Sequence, residues 1–124
     1  MSKSMPSIQN ILQMKPTELA DWLQTTYIKP LPTPSSSQEF VKYNYLLGEL
    51  ANVYAFLSGL LVASKISVRD SKRRGLSKEE VDDCIDRRDT IDAYLGIIKM
   101  QYNAFSRMIT VQKNADDEMR MMHY

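Results

Sequence analysis

The acidic segment EEVDDCIDRRD, residues 79–89, is where the sequence comes nearest to a metal site. Glu80 and Asp83 stand three positions apart, so on a helix their carboxylates would share one face, and paired carboxylates can bind divalent metal ions. Only Glu49 and Asn52 could supply a second pair from another helix. A metal-dependent all-α nucleotide hydrolase is therefore one alternative. The interpretation we favour is that the acids complement the positive end of a helix and pair with neighbouring arginines.

A mixed polar and aromatic patch follows in KMQYNAFSRMIT, residues 99–110. Its members are Gln101, Tyr102, Ser106, Arg107 and Thr110. Arg107 has no acidic residue three or four positions away, so its counter-charge must come from elsewhere in the fold, from another subunit or from a ligand. A guanidinium beside aromatic rings and hydroxyls suits a planar or phosphorylated ligand. We predict a ligand or partner site here, with a helix–helix contact or a solvated face as the structural alternative.

A basic cluster precedes the acidic segment and consists of Arg69, Lys72, Arg73 and Arg74. Such side chains can contact phosphates. However, no aromatic residue interleaves with them to stack on bases, and the net charge of the chain is only +1. These features argue against nucleic-acid binding and leave it as a weak alternative. The same cations fit the last turn of a helix, whose negative end they complement.

Nucleophilic catalysis finds little support in the sequence. Cys84 is the only cysteine and His123 the only histidine, and they are far apart along the chain. A single cysteine at an apolar helix position is predicted to be a buried structural thiol. It excludes an internal disulfide and favours a reducing, cytoplasmic setting. Without a catalytic triad, a Walker motif or a zinc spacing, we predict a protein that is not an enzyme and has no cofactor.

The residues above are carried by two predicted long helices. Ser36 and Glu39 form a capping box that opens the first helix. Apolar residues then recur at alternating steps of three and four, a heptad pattern. This seam consists of Phe40, Tyr43, Leu47, Leu50, Tyr54, Leu57, Leu61 and Val68, with Ser64 as its polar member. The seam of the second helix, interrupted by Arg88 and Gln112, consists of Val81, Cys84, Ile91, Leu95, Ile98, Tyr102, Phe105, Ile109 and Met119.

The segment SKRRGLSKEE, residues 71–80, carries signals for ending one helix and starting the next. Gly75 can take the left-handed conformation that follows a helix, and Ser77 with Glu80 forms a second capping box. The sequence therefore predicts a long antiparallel αα-hairpin over residues 36–120, with its turn at 74–77.

Residues 1–28 are predicted to form a short N-terminal segment of one or two helices. Pro16 suits a helix start, after which Leu19, Trp22 and Leu23 share one face. Prolines at alternate positions, Pro30, Pro32 and Pro34, forbid a helix and predict an extended connector over residues 29–35. Residues 121–124 are expected to fray. No strand pattern appears, so the predicted fold class is all-α.

Both long helices carry more apolar surface than a two-helix hairpin can bury. Small residues recur every four positions at Ala51, Ala55, Gly59 and Ala63, which allows another helix to approach closely. A further stripe on the second helix consists of Tyr94, Ile97, Ala104, Met108 and Val111. Leaving apolar surface in water costs about 25 cal/mol per Å², so we predict a homo-oligomer that completes a helical bundle. The longest uncharged run, residues 50–64, is short for a membrane span, so we expect no membrane association.

The overall residue pattern of positions 40–122, including the stretch QYNAFSRMITVQKNADDEMRM near its end, resembles that of small all-helical accessory proteins of tailed phages and prophages. Such proteins include recombination and replication helpers, inhibitors of host defence enzymes, and helical oligomers that sequester cyclic-nucleotide signals. The resemblance implies a non-catalytic binder in the cytoplasm of a host cell. It assigns no site residue.

The function we predict is therefore an oligomeric helical module that acts on a protein partner, such as a host factor or a defence enzyme that it inhibits. The alternatives are a helical bundle that sequesters a nucleotide-type small ligand, the metal-dependent nucleotide hydrolase, and a weak nucleic-acid-binding accessory protein.

Overall fold

The computed structural model describes residues 6–34 and 39–122. Four helices follow one another in these ranges: α1 (Ile8–Ile11), α2 (Pro16–Tyr27), α3 (Phe40–Arg73) and α4 (Lys78–Met121). None of the described residues lies in a β-strand, so the predicted all-α class is confirmed. Ser36, the first half of the predicted capping box, and His123 lie outside the described residues.

The two short helices pack onto the long ones through a few apolar side chains. α1 begins after Ser7, whose hydroxyl accepts a hydrogen bond from the Asn10 amide. α2 begins at Pro16, where the missing N–H is harmless because no intrahelical partner exists there. Leu19 and Leu23 are fully buried, while Trp22 packs half-buried against the same core. α2 thereby lies on α4.

The two long helices pack against each other along most of α3. Tyr43, near the start of α3, contacts Phe105 in the second half of α4, with ring centroids 5.8 Å apart. Ser67, near the end of α3, lies against Cys84 near the start of α4, at 3.7 Å from Oγ to Sγ. Since these contacts join opposite ends of the two helices, α3 and α4 run antiparallel.

The turn that ends α3 is closed by backbone hydrogen bonds. Gly75 has a φ of 66°, in the left-handed region that glycine alone enters without strain. Its amide donates to the Lys72 carbonyl at 3.2 Å, and the Leu76 amide donates to the Ser71 carbonyl at 3.1 Å. This pair of bonds is the Schellman motif, which satisfies carbonyls that the helix end would otherwise leave free.

α4 starts with half of the predicted capping box. The Ser77 hydroxyl accepts a hydrogen bond from the Glu80 amide at 3.2 Å. The reciprocal bond, from the Ser77 amide to the Glu80 carboxylate, is not among the hydrogen bonds of residues 39–122. One orphan amide of the first turn is thus satisfied by the serine.

The core is formed by two clusters of buried side chains. The larger consists of Ile11, Leu19, Leu23, Leu50, Leu57, Leu60, Leu61, Ile91 and Ile98, and the smaller of Tyr43, Phe105 and Ile109. Three predicted seam residues are exposed: Tyr54, Tyr102 and Met119 have exposed fractions of 38%, 36% and 59%. Leu60, outside the predicted seam, is fully buried. The reason is that the N-terminal helices cover a second flank of the hairpin, so burial does not follow a single heptad stripe.

Candidate functional site

The structure does not assemble the carboxylates into a metal site. Within residues 6–34 and 39–122, no three His, Cys, Asp or Glu side chains are close enough together to hold a metal ion. Glu80 and Asp83 instead line an open cleft that also contains Arg74 and Arg87. Two guanidinium groups neutralise the negative potential that a divalent cation would need. The geometry therefore gives the hydrolase alternative no support.

Cys84 lies in the same cleft and is held by hydrogen bonds. Its Sγ accepts from the Arg87 guanidinium at 3.6 Å and from the Ser67 hydroxyl at 3.7 Å, and the residue is buried. Arg87 also donates through Nε to the Met14 carbonyl at 2.6 Å. These contacts tie α4 to α3 and to the segment between α1 and α2, which is a structural role for both side chains.

The basic cluster is solvated at the tip of the hairpin. Arg69, Lys72, Arg73 and Arg74 are all exposed. Arg74 forms an exposed ion pair with Asp70 at 3.7 Å. Exposed pairs of this kind contribute little to stability, so the cluster remains a positively charged end of the molecule.

The five residues of the predicted Arg107 patch do not converge within one chain. Tyr102, Ser106 and Thr110 follow each other at steps of four along α4, and the Thr110 hydroxyl donates to the Ser106 carbonyl at 3.1 Å. Gln101 lies on the other side of α4, in a cavity described below. Arg107 is exposed, and among the described residues no carboxylate is within ion-pair distance of it.

A long unpartnered surface lies on α3, on the side opposite to the core. It consists of Val41, Tyr45, Gly48, Asn52, Ala55, Gly59, Val62 and Ile66, all of them exposed, and we call these eight residues the outer face. Its large members Val41, Tyr45, Val62 and Ile66 are 83%, 69%, 58% and 56% exposed. None of the eight is charged. Of the predicted small-residue stripe, Ala55 and Gly59 belong to the outer face, while Ala51 and Ala63 lie along its two edges.

The glycines of the outer face are not required by the fold of a single chain. A Cβ built on Gly48 or on Gly59 would meet no atom within 4 Å. Neither has a positive φ. Glycine inside a helix is less stable than alanine by about 0.5–1 kcal/mol. Gly48 and Gly59 therefore lower the stability of α3 relative to alanine, and no contact among the described residues requires them.

A second feature is a cavity of about 180 Å³ where the proline connector crosses α3 and α4. Its wall includes Tyr27, Leu31, Leu46, Val53 and Gln101. The Tyr27 hydroxyl and the Gln101 Oε1 are buried without a hydrogen-bond partner. Burial raises the pKa of Tyr27 above its ordinary value, so the hydroxyl stays protonated. We call this space the Tyr27 cavity.

Sequence reasoning found only parts of these two features. The outer face has its own heptad spacing, 41-45-48-52-55-59-62-66, which is a signal in the sequence. The signal is weaker than that of the inner seam of α3, whose apolar residues are larger and more continuous. The Tyr27 cavity has no such signal, because it joins residues more than 70 positions apart along the chain.

α3 is also long and apolar enough to cross a membrane by its length and composition, and only 17% of its most apolar window is buried against the rest of the chain.

Comparison of the chain with protein-family models, with curated proteins and with solved structures gives no match. Function must therefore be argued from the geometry of this chain alone.

Proposed function

We propose that this protein is a non-catalytic helical module that acts by binding, and that its first partner is a second copy of itself. The observation that carries the proposal is the outer face of α3, an exposed and uncharged stripe about 39 Å long at the rise of an α-helix. An exposed apolar surface of this extent is typical of an interaction site.

The outer face is complementary to itself when two α3 helices pack antiparallel. Its spacing reads 4-3-4-3-4-3-4 in both directions, so a two-fold axis between Asn52 and Ala55 superposes the pattern on itself. Each layer then joins two uncharged residues. The layers are Val41 with Ile66, Tyr45 with Val62, Gly48 with Gly59 and Asn52 with Ala55. In this interface Gly48 and Gly59 allow the two helix backbones to approach closely.

The charges favour the antiparallel arrangement over a parallel one. In a parallel pair the two basic tips would lie side by side and repel each other. In an antiparallel pair they lie at opposite ends, separated by about the 51 Å length of α3. The amides of Asn44 and Asn52 are also better accommodated in a protein contact than in lipid.

The sharpest test substitutes Gly59→Leu and compares it with Gly96→Leu on α4. Both glycines have open space around them within the chain, so neither change should unfold it, and both should favour helix. Only Gly59 lies on the outer face. We expect wild type and Gly96→Leu to sediment as dimers at micromolar concentration, and Gly59→Leu to sediment as a monomer of 14.3 kDa. A monomeric wild type, or a dimer unaffected by Gly59→Leu, would refute the proposal.

The register is tested by disulfide trapping in a Cys84→Ser background. A Tyr45→Cys chain mixed with a Val62→Cys chain should give a cross-linked heterodimer, because these positions face each other across the two-fold axis. Each variant alone should cross-link poorly. Efficient cross-linking of Tyr45→Cys with itself would indicate a parallel pair instead. Partition of the wild-type chain into phosphatidylcholine vesicles, with no dimer in solution, would indicate that lipid covers the outer face.

We further propose that the dimer engages a host protein, as the resemblance of residues 40–122 to phage accessory proteins implies. What supports a second interaction surface is the apolar stripe of α4, of which Ile97, Met108 and Val111 are exposed. Val111→Asp should abolish co-purification of a specific host protein while leaving the α3 dimer intact. If Val111→Asp retains the same partner as wild type, the stripe of α4 is not the partner site.

A further inference from the structure

One flank of the hairpin, where the edges of α3 and α4 meet, carries an open cleft of about 300 Å³. Tyr54 of α3 lines it together with Lys99 and Tyr102 of α4, and all its lining residues among the described ones come from these two helices. Tyr54 and Tyr102 are 38% and 36% exposed, and Lys99 is exposed as well. The three side chains are therefore accessible to a molecule that lies along this flank.

Further cations recur on the same side of both helices at whole numbers of turns. Lys65 and Lys72 follow Tyr54 by 11 and 18 positions, which are about three and five turns of an α-helix. Arg69 stands one turn from each of these lysines. On α4, a lysine follows Tyr102 by 11 positions. We call the following seven residues the basic flank: Tyr54, Lys65, Arg69, Lys72, Lys99, Tyr102 and Lys113.

The cations of the basic flank carry charge that the chain does not neutralise. All five are exposed, and none forms an ion pair with another described residue. Residues 51–72 and 88–113 contain three carboxylates. Asp70 and Asp89 already pair with arginines outside the flank, at 3.7 and 3.0 Å, which leaves Asp92. The cations on this flank therefore exceed the available anions.

Carboxylates collect on the opposite flank, where the N-terminal segment packs. Glu80 and Asp83 line a cleft with the residues that follow α1, and Asp86 lines a groove with the start of α2. Glu49 lines the Tyr27 cavity beside the connector. The net charge of +1 thus conceals a separation of charge between the two flanks of the hairpin. A surface of one sign attracts a molecule of the other.

Single-stranded nucleic acid is the polyanion that best fits cations next to exposed aromatic rings. Its phosphates are attracted by lysine and arginine, and its unpaired bases can stack on tyrosine. The bases of a duplex are already stacked on one another and would first have to be extruded. Anionic lipid binds helices through exposed aliphatic side chains as well as cations. The exposed aliphatic residues of α4, which include Ile97, Met100 and Val111, lie outside the basic flank.

We propose that the basic flank binds single-stranded nucleic acid without sequence preference, with the phosphates on its cations and the bases stacked on Tyr54 and Tyr102. The basic cluster has no aromatic neighbour in the sequence, and only the pairing of α3 with α4 brings the two tyrosines to one cleft. From Tyr54 to Lys72 the flank is about 27 Å long. It contains no residue of the outer face, so binding does not depend on the dimer.

The test measures the fluorescence anisotropy of a labelled oligothymidine of about 12 nucleotides, a length within the site sizes of single-strand-binding folds. We expect saturable binding to the full chain, with a Kd of about 1–100 µM near 0.1 M salt. The logarithm of the affinity should fall with the logarithm of the salt concentration with a slope of about −2 to −3.5, as expected when about three to five cations neutralise phosphates of a single strand.

Lys65→Gln combined with Arg69→Gln should weaken binding and make the salt slope shallower by about 1.4, because two phosphate contacts are lost. Both residues are exposed, so circular dichroism should show an unchanged fold. The matched control is Lys15→Gln combined with Lys29→Gln, which removes the same charge from exposed positions in the N-terminal segment. It should leave the salt slope unchanged.

Tyr54→Leu and Tyr102→Leu each remove a ring and keep apolar bulk. Each should weaken binding about five- to tenfold with the salt slope unchanged, because stacking on a base releases no counterion. The proposal is overturned if oligothymidine does not bind, if the control pair weakens binding as much as the Lys65 and Arg69 pair, or if neither tyrosine variant changes the affinity. Binding to phosphatidylglycerol vesicles without binding to oligothymidine would also overturn it and assign the flank to lipid.

Discussion

Both faces of α3 carry residues at heptad spacing, but only the inner face is buried within the chain. The inner face carries Leu50, Leu57 and Val68 at heptad-compatible spacing, and α4 and the N-terminal helices bury it. The outer face repeats heptad spacing with smaller residues, and no described residue of the chain covers it. The difference is in size as well as burial, since glycine, alanine and asparagine occupy the middle of the outer face. Heptad spacing therefore identifies surfaces that pack, but the partner depends on what else the chain contains.

The same comparison separates two kinds of glycine. Gly75 has a left-handed backbone that its position in the turn requires. Gly48 and Gly59 have ordinary helical conformations and open space around them. The first is explained by the fold of one chain. Gly48 and Gly59 have no such reason among the described residues, and the dimer proposed above would supply one.

The largest expected difference between the two faces of α3 is the loss of unfolding free energy when a side chain is shortened to alanine. Leu57→Ala should lower the free energy of unfolding by about 2–5 kcal/mol, because it leaves a cavity in a fully buried site. Val62→Ala on the outer face should change it by no more than about 0.5 kcal/mol at protein concentrations where the chain is monomeric. Urea unfolding followed by circular dichroism measures both. Equal losses would mean that the outer face is covered within the chain.

The next largest loss of stability is expected from substituting Gly75, the glycine of the turn. Gly75→Ala should destabilise the protein by about 1–2 kcal/mol, because a Cβ in the left-handed region meets its own backbone. The space around Gly75 is open, so the effect is one of backbone conformation and not of crowding. Gly75→Asn should lose less, since asparagine tolerates this conformation better than alanine does. Thermal unfolding of the three proteins would test the order.

Replacing a glycine of the outer face by alanine should change the stability in the opposite direction. Gly48→Ala should stabilise the monomer by up to about 1 kcal/mol, because alanine is the better helix former and its Cβ meets nothing. In the dimer that gain should be offset by poorer packing between the helices. The measurement is unfolding at two protein concentrations, one below and one above dimer formation. A loss of stability in the monomer would show that Gly48 is needed within the chain.

The smallest effect concerns pH and the Tyr27 cavity. Burial raises the pKa of Tyr27, so above a pH of about 10 the unfolded tyrosine ionises before the folded one does. The free energy of unfolding should therefore fall as the pH rises from about 10 towards the folded pKa, and Tyr27 should have no such effect at lower pH. Tyr27→Phe should reduce this alkaline slope. An unchanged slope in Tyr27→Phe would mean that the hydroxyl is solvated.

Local signals predicted the helix ends better than periodicity predicted the core. Gly75 and Ser77 act through hydrogen bonds with residues at most five positions away, so the sequence contains the whole interaction. Tyr54 and Tyr102 have correct heptad spacing and are nevertheless partly exposed. Their burial depends on whether another helix lies over them, and a periodic pattern does not contain that information.

The candidate site residues show the same limit of local sequence information. The sequence marks Arg107 as a candidate because no acid lies nearby along the helix, and the structure leaves it exposed and without an ion pair among the described residues. Gln101 is close to Arg107 in the sequence, yet it lines the Tyr27 cavity on a different side of α4. The six positions from Gln101 to Arg107 correspond to about 600° of rotation, which leaves the two side chains about 120° apart around the helix axis.

The sequence by itself determined that this chain is helical, where Gly75 ends α3 and how Ser77 starts α4, because these features arise from backbone conformation and bonds within a few residues. Only the tertiary structure decided which side of α3 is buried and that Tyr27, Gln101 and the proline connector enclose one cavity. Those outcomes depend on packing between segments far apart along the chain, where the position of each helix is set by the sum of many contacts rather than by its own residues.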